Sequence, residues 1–313
     1  MTAEIDPDML PILEAMRAAA PVDYAAMPIA EARTIFDAGT APWRALAPEV
    51  PEVEDLTLAG AAGPMRARLY RPAFGRLPLV VFVHGGGWTF GSVDSHENEM
   101  RFLALASRAA VLGFDYRLGP EHPFPAGLDD ILAVLAQVRA GALGDRVDAS
   151  RLALAGDSAG ANLALGALLA LRDKGAAQVS GAMLFYGCYA PDFDTESHRL
   201  FGGGQFGLST ARMRWYWRNF LGPAFDAPMA WAAPLGADLG GLPPLHLVAA
   251  GLDPLRDDTL ALARRLSAAG IEHELVTVPG VIHGFLGRAP KLPVARRTME
   301  SAGAFLTQRL EQE

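Results

Sequence analysis

The sequence predicts an α/β fold organised on a mostly parallel central sheet, and three observations carry that prediction. Short, largely apolar runs at 77–83, 110–116, 152–155, 182–186, 245–250 and 273–278 read as strands, several of them buried on both faces. Helix-like stretches separate them at βαβ spacing, the arrangement that covers both faces of a parallel sheet. One strand passes into its helix through only five residues, 156–160, which spell Gly-Asp-Ser-Ala-Gly.

Residues 1–45 carry helical periodicity through Met9, Ile12, Leu13 and Met16. Pro11, Pro21 and Pro28 are expected to break it into short amphipathic helices lying across something else. Residues 53–58 and 65–70 alternate, with Gly60 and Gly63 between them, which predicts a hairpin at a sheet edge. The run 77–83 then enters His84, Gly85, Gly86, Gly87 and Trp88. Three successive glycines cost backbone entropy. A required geometry is therefore expected there, a loop whose bare N–H groups face a ligand oxygen.

Residues 97–107 read as a helix, 110–116 as the next strand, and the proline-rich segment after it as a rigid link. Helix 128–140 leads to strand 152–155 and the Ser158 turn. A serine in G-x-S-x-G between strand and helix is held in a strained backbone with its hydroxyl above the sheet. A side chain on either flanking glycine would collide with the neighbouring strand or helix. The amide of Ala159 opens the helix and points, unpaired, to the space before Ser158.

The alternation stops between about 190 and 239, which reads as an insertion over the end of the sheet. Its aromatic run 213–220 is helix-like. Trp215 and Trp217 either line a substrate pocket or pack the insertion onto the N-terminal helices, and Trp88 is a third pocket candidate. Gly202, Gly204 and Gly207 form G-x-G-x-x-G, but no strand precedes them, so no dinucleotide site is expected. Strand 245–250, helix 255–269, strand 273–278 and a helix over 294–310 complete the pattern.

Composition narrows the function. Half of the 313 residues are hydrophobic (51%) and a fifth are charged (20%), enough to bury a large core. The net charge is −8 with no basic cluster, which argues against nucleic acid and anionic membranes as partners. A single cysteine, Cys188, excludes an internal disulfide and a cysteine-based structural zinc site. The N-terminus has no basic region followed by an apolar one, and no uncharged apolar run reaches the ~18 residues of a membrane span. A soluble cytoplasmic protein is the expectation.

A serine hydroxyl is a poor nucleophile near neutral pH unless a base takes its proton, and histidine has the suitable pKa. An acid must in turn orient the imidazole. Open α/β sheets place their ligands at the carboxyl ends of strands. Asp253 follows strand 245–250 and His283 lies in the turn after the next strand, so both fit. His246 lies within a strand and His273 at the start of one, and each is expected to be structural. Asp257 and Asp258 are expected to cap the following helix or face solvent. No H-E-x-x-H occurs, and no metal site is expected.

HGGGW, DYRLGPEHPFPA, GDSAG, LDPLRDD and VIHGF, in this order from about 77 to 285, resemble the motifs of the bacterial hormone-sensitive-lipase-like esterases. The resemblance implies an α/β-hydrolase fold with a helical cap. It implies a triad of Ser158, Asp253 and His283, in the chain order Ser, Asp, His. Gly86, Gly87 and Ala159 would supply oxyanion-hole amides, with Gly85 shaping the turn. Implied too are hydrolysis of carboxylic esters with short to medium acyl chains and no cofactor. The chain then divides into 1–45 (N-terminal part of the cap), 46–189 and 240–313 (the two parts of the hydrolase core) and 190–239 (cap insertion). Relatives often form homodimers, though no interface is legible. Gly119 stands where the family often has alanine. The rival readings are an amidase or N-deacylase on the same triad and, in another class, a small-molecule receptor on the same fold. Such receptors lack a complete triad, which this sequence has.

Overall fold

The computed structural model describes residues 4–20 and 22–311. The chain opens with helices α1 (Leu10–Ala18) and α2 (Ile29–Arg44). Pro11 and Pro28 open helices where the sequence suggested breaks, and Pro42 lies within the last turn of α2. Pro11 sits in the first turn of α1 and Pro28 immediately precedes α2, positions where a missing N–H leaves no helical bond unmade. Pro21 lies outside the described residues.

Strands β1 (Glu52–Gly60) and β2 (Gly63–Arg71) form the expected antiparallel hairpin, closed by the Gly60–Gly63 pair. It edges an eight-stranded sheet whose other members are β3 (Leu77–Val83), β4 (Ala110–Phe114), β5 (Val147–Asp157), β6 (Ala182–Phe185), β7 (Leu245–Leu252) and β8 (His273–Ile282). The order is β1-β2-β4-β3-β5-β6-β7-β8. The pairings from β4 through β8 are parallel, and β2 runs antiparallel to both its neighbours.

Side chains of the central strands alternate between two cores. Leu79, Val81 and Val83 of β3 face one, and Val80 and Phe82 face the other. The first core includes α4 (Ala126–Arg139) and α5 (Ala159–Asp173). The second includes α3 (Glu97–Ser107). Helices α6 (Glu196–Phe201) and α7 (Thr210–Leu221) belong to the segment after β6. Helix α8 (Arg256–Ala268) joins the first core and α9 (Pro293–Glu311) the second. Every position of α5 from Ala159 to Leu171 is buried, because the sheet covers one side and the 190–239 segment reaches the other. At Gly166 an added Cβ would lie 2.3 Å from the Trp231 carbonyl oxygen. Such complete burial suits an Ala/Leu-rich helix and fixes its N-terminus firmly.

Polar anchors hold the 190–239 segment over the carboxyl ends of the strands. Asn162 Nδ2 of α5 donates to the carbonyls of Cys188 and Ala232, both at 2.9 Å. Asp258 corrects the solvent-facing expectation. It is 2% exposed and accepts the N–H of Tyr189 at 2.7 Å, and burial pushes its pKa up to about 7. Asp257 accepts the N–H of Ser197 at 2.8 Å. Both aspartates therefore tie α8 to the segment after β6. Gly119 also has a physical reason, since a Cβ there would lie 2.4 Å from the Asn219 carbonyl oxygen of α7. Among the described residues no helix is long and apolar enough to cross a membrane.

Candidate active site

Strand β5 ends at Asp157 and α5 begins at Ala159, so Ser158 alone makes the turn. Its backbone lies at φ 54°, ψ −119°, a conformation that costs a non-glycine residue about 1–3 kcal/mol. The surroundings enforce it. An added Cβ on Gly156 would meet the Gly160 carbonyl at 2.5 Å, and one on Gly160 would meet the Val83 oxygen at 2.0 Å. These two glycines let β5, α5 and β3 close on one another, as the motif predicted. The Ser158 N–H donates to the Phe185 carbonyl at the end of β6 (2.8 Å), which fixes the turn from the other side.

Asp253 follows β7, His283 follows β8, and the two strands are sheet neighbours. Asp253 is fully buried. Its Oδ1 accepts the Leu255 N–H (2.9 Å) and its Oδ2 accepts from His283 Nδ1 (2.7 Å). A carboxylate can only accept, so the proton lies on Nδ1 and the other ring nitrogen is free to accept. That nitrogen, Nε2, lies 2.9 Å from Ser158 Oγ, which donates to it. Burial of His283 works against a charge on its ring, but the charge and hydrogen bond of Asp253, helped by Asp157, leave its pKa above the usual value. Tyr186, at the end of β6, sets its ring edge-on to His283, 5.0 Å between centroids.

The glycine loop after β3 packs beside Ser158. Gly85 donates its N–H to Asp157 Oδ1 (2.8 Å), and an added Cβ there would meet Asp157 Oδ2 at 2.5 Å. Gly86 (φ 107°) and Gly87 (φ 61°) both occupy conformations that favour glycine. The Gly86 carbonyl accepts the Phe90 N–H (2.9 Å). His84 is buried beneath, stacked on Tyr116, whose hydroxyl donates to the His84 carbonyl (2.8 Å). Burial, with His96 nearby, lowers the His84 pKa to about 3, so it stays neutral and structural. Ala159 is buried as the first residue of α5, where backbone N–H groups have no helical acceptor.

Ser158, His283, Gly86 and Gly87 line one cavity of roughly 260 Å³. Phe36 and Trp43 of α2, with Leu208, Met213 and Tyr216 of the inserted segment, form its apolar walls. The tryptophan expectation needs correcting. Trp88 (φ 55°) and Trp217 are each 1% exposed and lie in the core, their rings 4.5 Å apart, with Trp88 stacked on Phe220 at 4.2 Å. Trp215 packs beside Phe90, outside the cavity wall. Their α7 neighbour Tyr216 does line the site, so close over Gly87 that an added Cβ would lie 2.3 Å from its ring. Helical spacing offered a signal for this. Met213, Tyr216, Trp217 and Phe220 recur at i, i+3, i+4 and i+7, and all are buried. His246 and His273 sit away from the site, as expected, with His246 Nδ1 2.9 Å from Glu274.

A mostly parallel sheet with a serine, an aspartate and a histidine just beyond the carboxyl ends of β5, β7 and β8 is the arrangement of an α/β hydrolase. A family model for the alpha/beta hydrolase fold matches residues 80–287, and the chain belongs to that family, in its hormone-sensitive-lipase-like branch. It is 35% identical over 298 residues to carboxylesterase NlhH of Mycobacterium tuberculosis, with 92% of each chain covered. Among solved structures, the esterase of Pyrobaculum calidifontis is 35% identical at a TM-score of 0.91, covering 97% of this chain and 98% of that one. The thermostable esterase of Pseudomonas putida ECU1011 is 28% identical at a TM-score of 0.92, covering 100% and 99%.

Proposed function

We propose that this carboxylic ester hydrolase works as a serine esterase, with Ser158 as nucleophile, His283 as general base and acid, and Asp253 as the group that orients the imidazole. The observation that carries the reading is the unbroken hydrogen-bond chain Asp253–His283–Ser158, ending in a cavity also lined by Gly86 and Gly87. Ser158 Oγ attacks the ester carbonyl while His283 Nε2 takes its proton. The imidazolium is stabilised by Asp253 and returns the proton to the departing alcohol. Water, activated by the same nitrogen, then hydrolyses the acyl-enzyme. The amides of Gly86, Gly87 and Ala159 receive the oxyanion.

Helices α1 and α2 and the 190–239 segment act as the cap that selects the ester. A cavity of roughly 260 Å³ with apolar walls suits short to medium acyl chains. The test is hydrolysis of p-nitrophenyl esters from acetate to palmitate, with Ser158→Ala alongside. Turnover should peak at short chains and fall by roughly 10⁶ in the variant. Undiminished turnover in Ser158→Ala refutes the mechanism. Faster cleavage of aryl acetamides than of matched acetates replaces the esterase with an amidase.

A further inference from the structure

We propose that one wall of this cavity, formed by Asn98, Glu99 and Arg288, is a polar subsite that takes a free hydroxyl on the substrate, so that the enzyme prefers hydroxylated esters. This rests on the esterase reading and names the substrate class for the same site.

The argument begins with unfilled hydrogen-bonding capacity. Asn98 and Glu99 sit in the first turn of α3 and are 3% and 6% exposed. Asn98 Nδ2 donates to the carbonyls of Trp43 (3.0 Å) and Gly287 (3.2 Å), which fixes the amide and leaves its buried Oδ1 without a partner. Glu99 Oε2 is likewise buried and unpartnered. A buried polar atom without a partner is costly, and native structures hold few of them.

Arg288 lies five residues beyond His283, with its guanidinium 4.4 Å from the Trp43 ring centroid. No carboxylate of the described residues comes within 4.0 Å of it. All three residues line the cavity that holds Ser158 and His283.

Two acceptors without donors beside a cation without an acceptor call for a group that both donates and accepts. A carboxylate would face the Asn98 and Glu99 oxygens, an ammonium would face Arg288, and an apolar group would leave all three unpaired. A hydroxyl donates its one hydrogen to one of the two acceptors and accepts from Arg288. Burial raises the Glu99 pKa, and a hydroxyl pairs with either state of that carboxyl, donating to the anion or accepting from the acid.

The hydroxyl can belong to either half of the ester, so two matched pairs are needed. Glycerol 1-monobutyrate against propyl butyrate places it on the alcohol. Methyl 3-hydroxybutyrate, each enantiomer, against methyl butyrate places it on the acyl group. Released acid is titrated to obtain kcat/KM. One pair should favour the hydroxylated ester at least about 10-fold, the worth of hydrogen bonds to charged partners. That preference should shrink toward one in Glu99→Leu and fall in Arg288→Met.

The ratio is the readout because a merely structural role would lower both members of a pair together. If Glu99→Leu does not fold, Arg288→Met carries the test alone. Ratios near one in both pairs for the wild type, or a preference that survives every folded variant, overturn the subsite while hydrolysis of p-nitrophenyl butyrate keeps the esterase. Absence of turnover on every ester removes both.

Discussion

Replacing Gly86 with alanine is the sharpest test of how the glycine loop serves the reaction. An added Cβ would lie 2.3 Å from the Phe90 carbonyl oxygen, 2.6 Å from its carbon and 3.1 Å from the Gly91 nitrogen. All three are backbone atoms, so no side-chain rotation relieves the contact. The φ of 107° is a second obstacle, a conformation that costs a non-glycine residue about 1–3 kcal/mol. The loop must therefore shift, and the Gly86 and Gly87 amides shift with it. Losing one oxyanion donor typically costs about 10²–10³ in kcat, roughly 2.7–4 kcal/mol of transition-state stabilisation. Charge develops on the carbonyl oxygen only as the reaction proceeds, so KM should change far less than kcat. Steady-state hydrolysis of p-nitrophenyl butyrate measures both constants, and circular dichroism with a thermal melt establishes that the variant is folded. A folded Gly86→Ala that keeps kcat within about threefold of wild type refutes the assignment of the loop amides, because the expected loss is far larger.

Asp253→Asn keeps the shape but permits the wrong imidazole tautomer, and kcat should drop by about 10⁴; a loss under tenfold argues against its orienting role. Because His283 acts in its neutral form and its pKa is raised, kcat/KM should decline as pH falls, with a midpoint above the ordinary 6.5. A midpoint below that value contradicts the geometry of the Asp253 pair. Asp258 links stability to pH. Its pKa is raised from 3.8 to about 7, so the folded protein holds that proton more tightly than the unfolded chain, and the associated stability is full below about 4 and lost as pH rises toward 7. Asp258→Asn should remove that pH-dependent change, up to about 4 kcal/mol in total across the two pKa values. Urea unfolding at pH 5 and pH 8 measures it, and a wild-type-to-variant difference that is equal at both values counts against the buried-acid account.

The strand runs, the hairpin, the Ser158 turn and the glycine loop were legible because each is a short-range pattern. Apolar runs of strand length and glycines at tight turns encode local backbone requirements that hold wherever the segment lies. The positions of Asp253 and His283 were legible for a related reason: side chains just beyond parallel strands reach the same end of the sheet. Tertiary packing alone decided which residues line the cavity. Tyr216 and Trp217 both belong to the buried face of α7, yet one covers Gly87 and the other packs in the core against Trp88. Asp258 reads as a helix-start carboxylate, and only the return of the chain at Tyr189 buries it. Asn98 and Glu99 read as the polar start of an amphipathic helix, and what encloses them is a turn about 190 residues away, through Asn98 and Gly287. Local periodicity says that a side chain points inward, but its partner is set by contacts between distant segments, which no short pattern encodes.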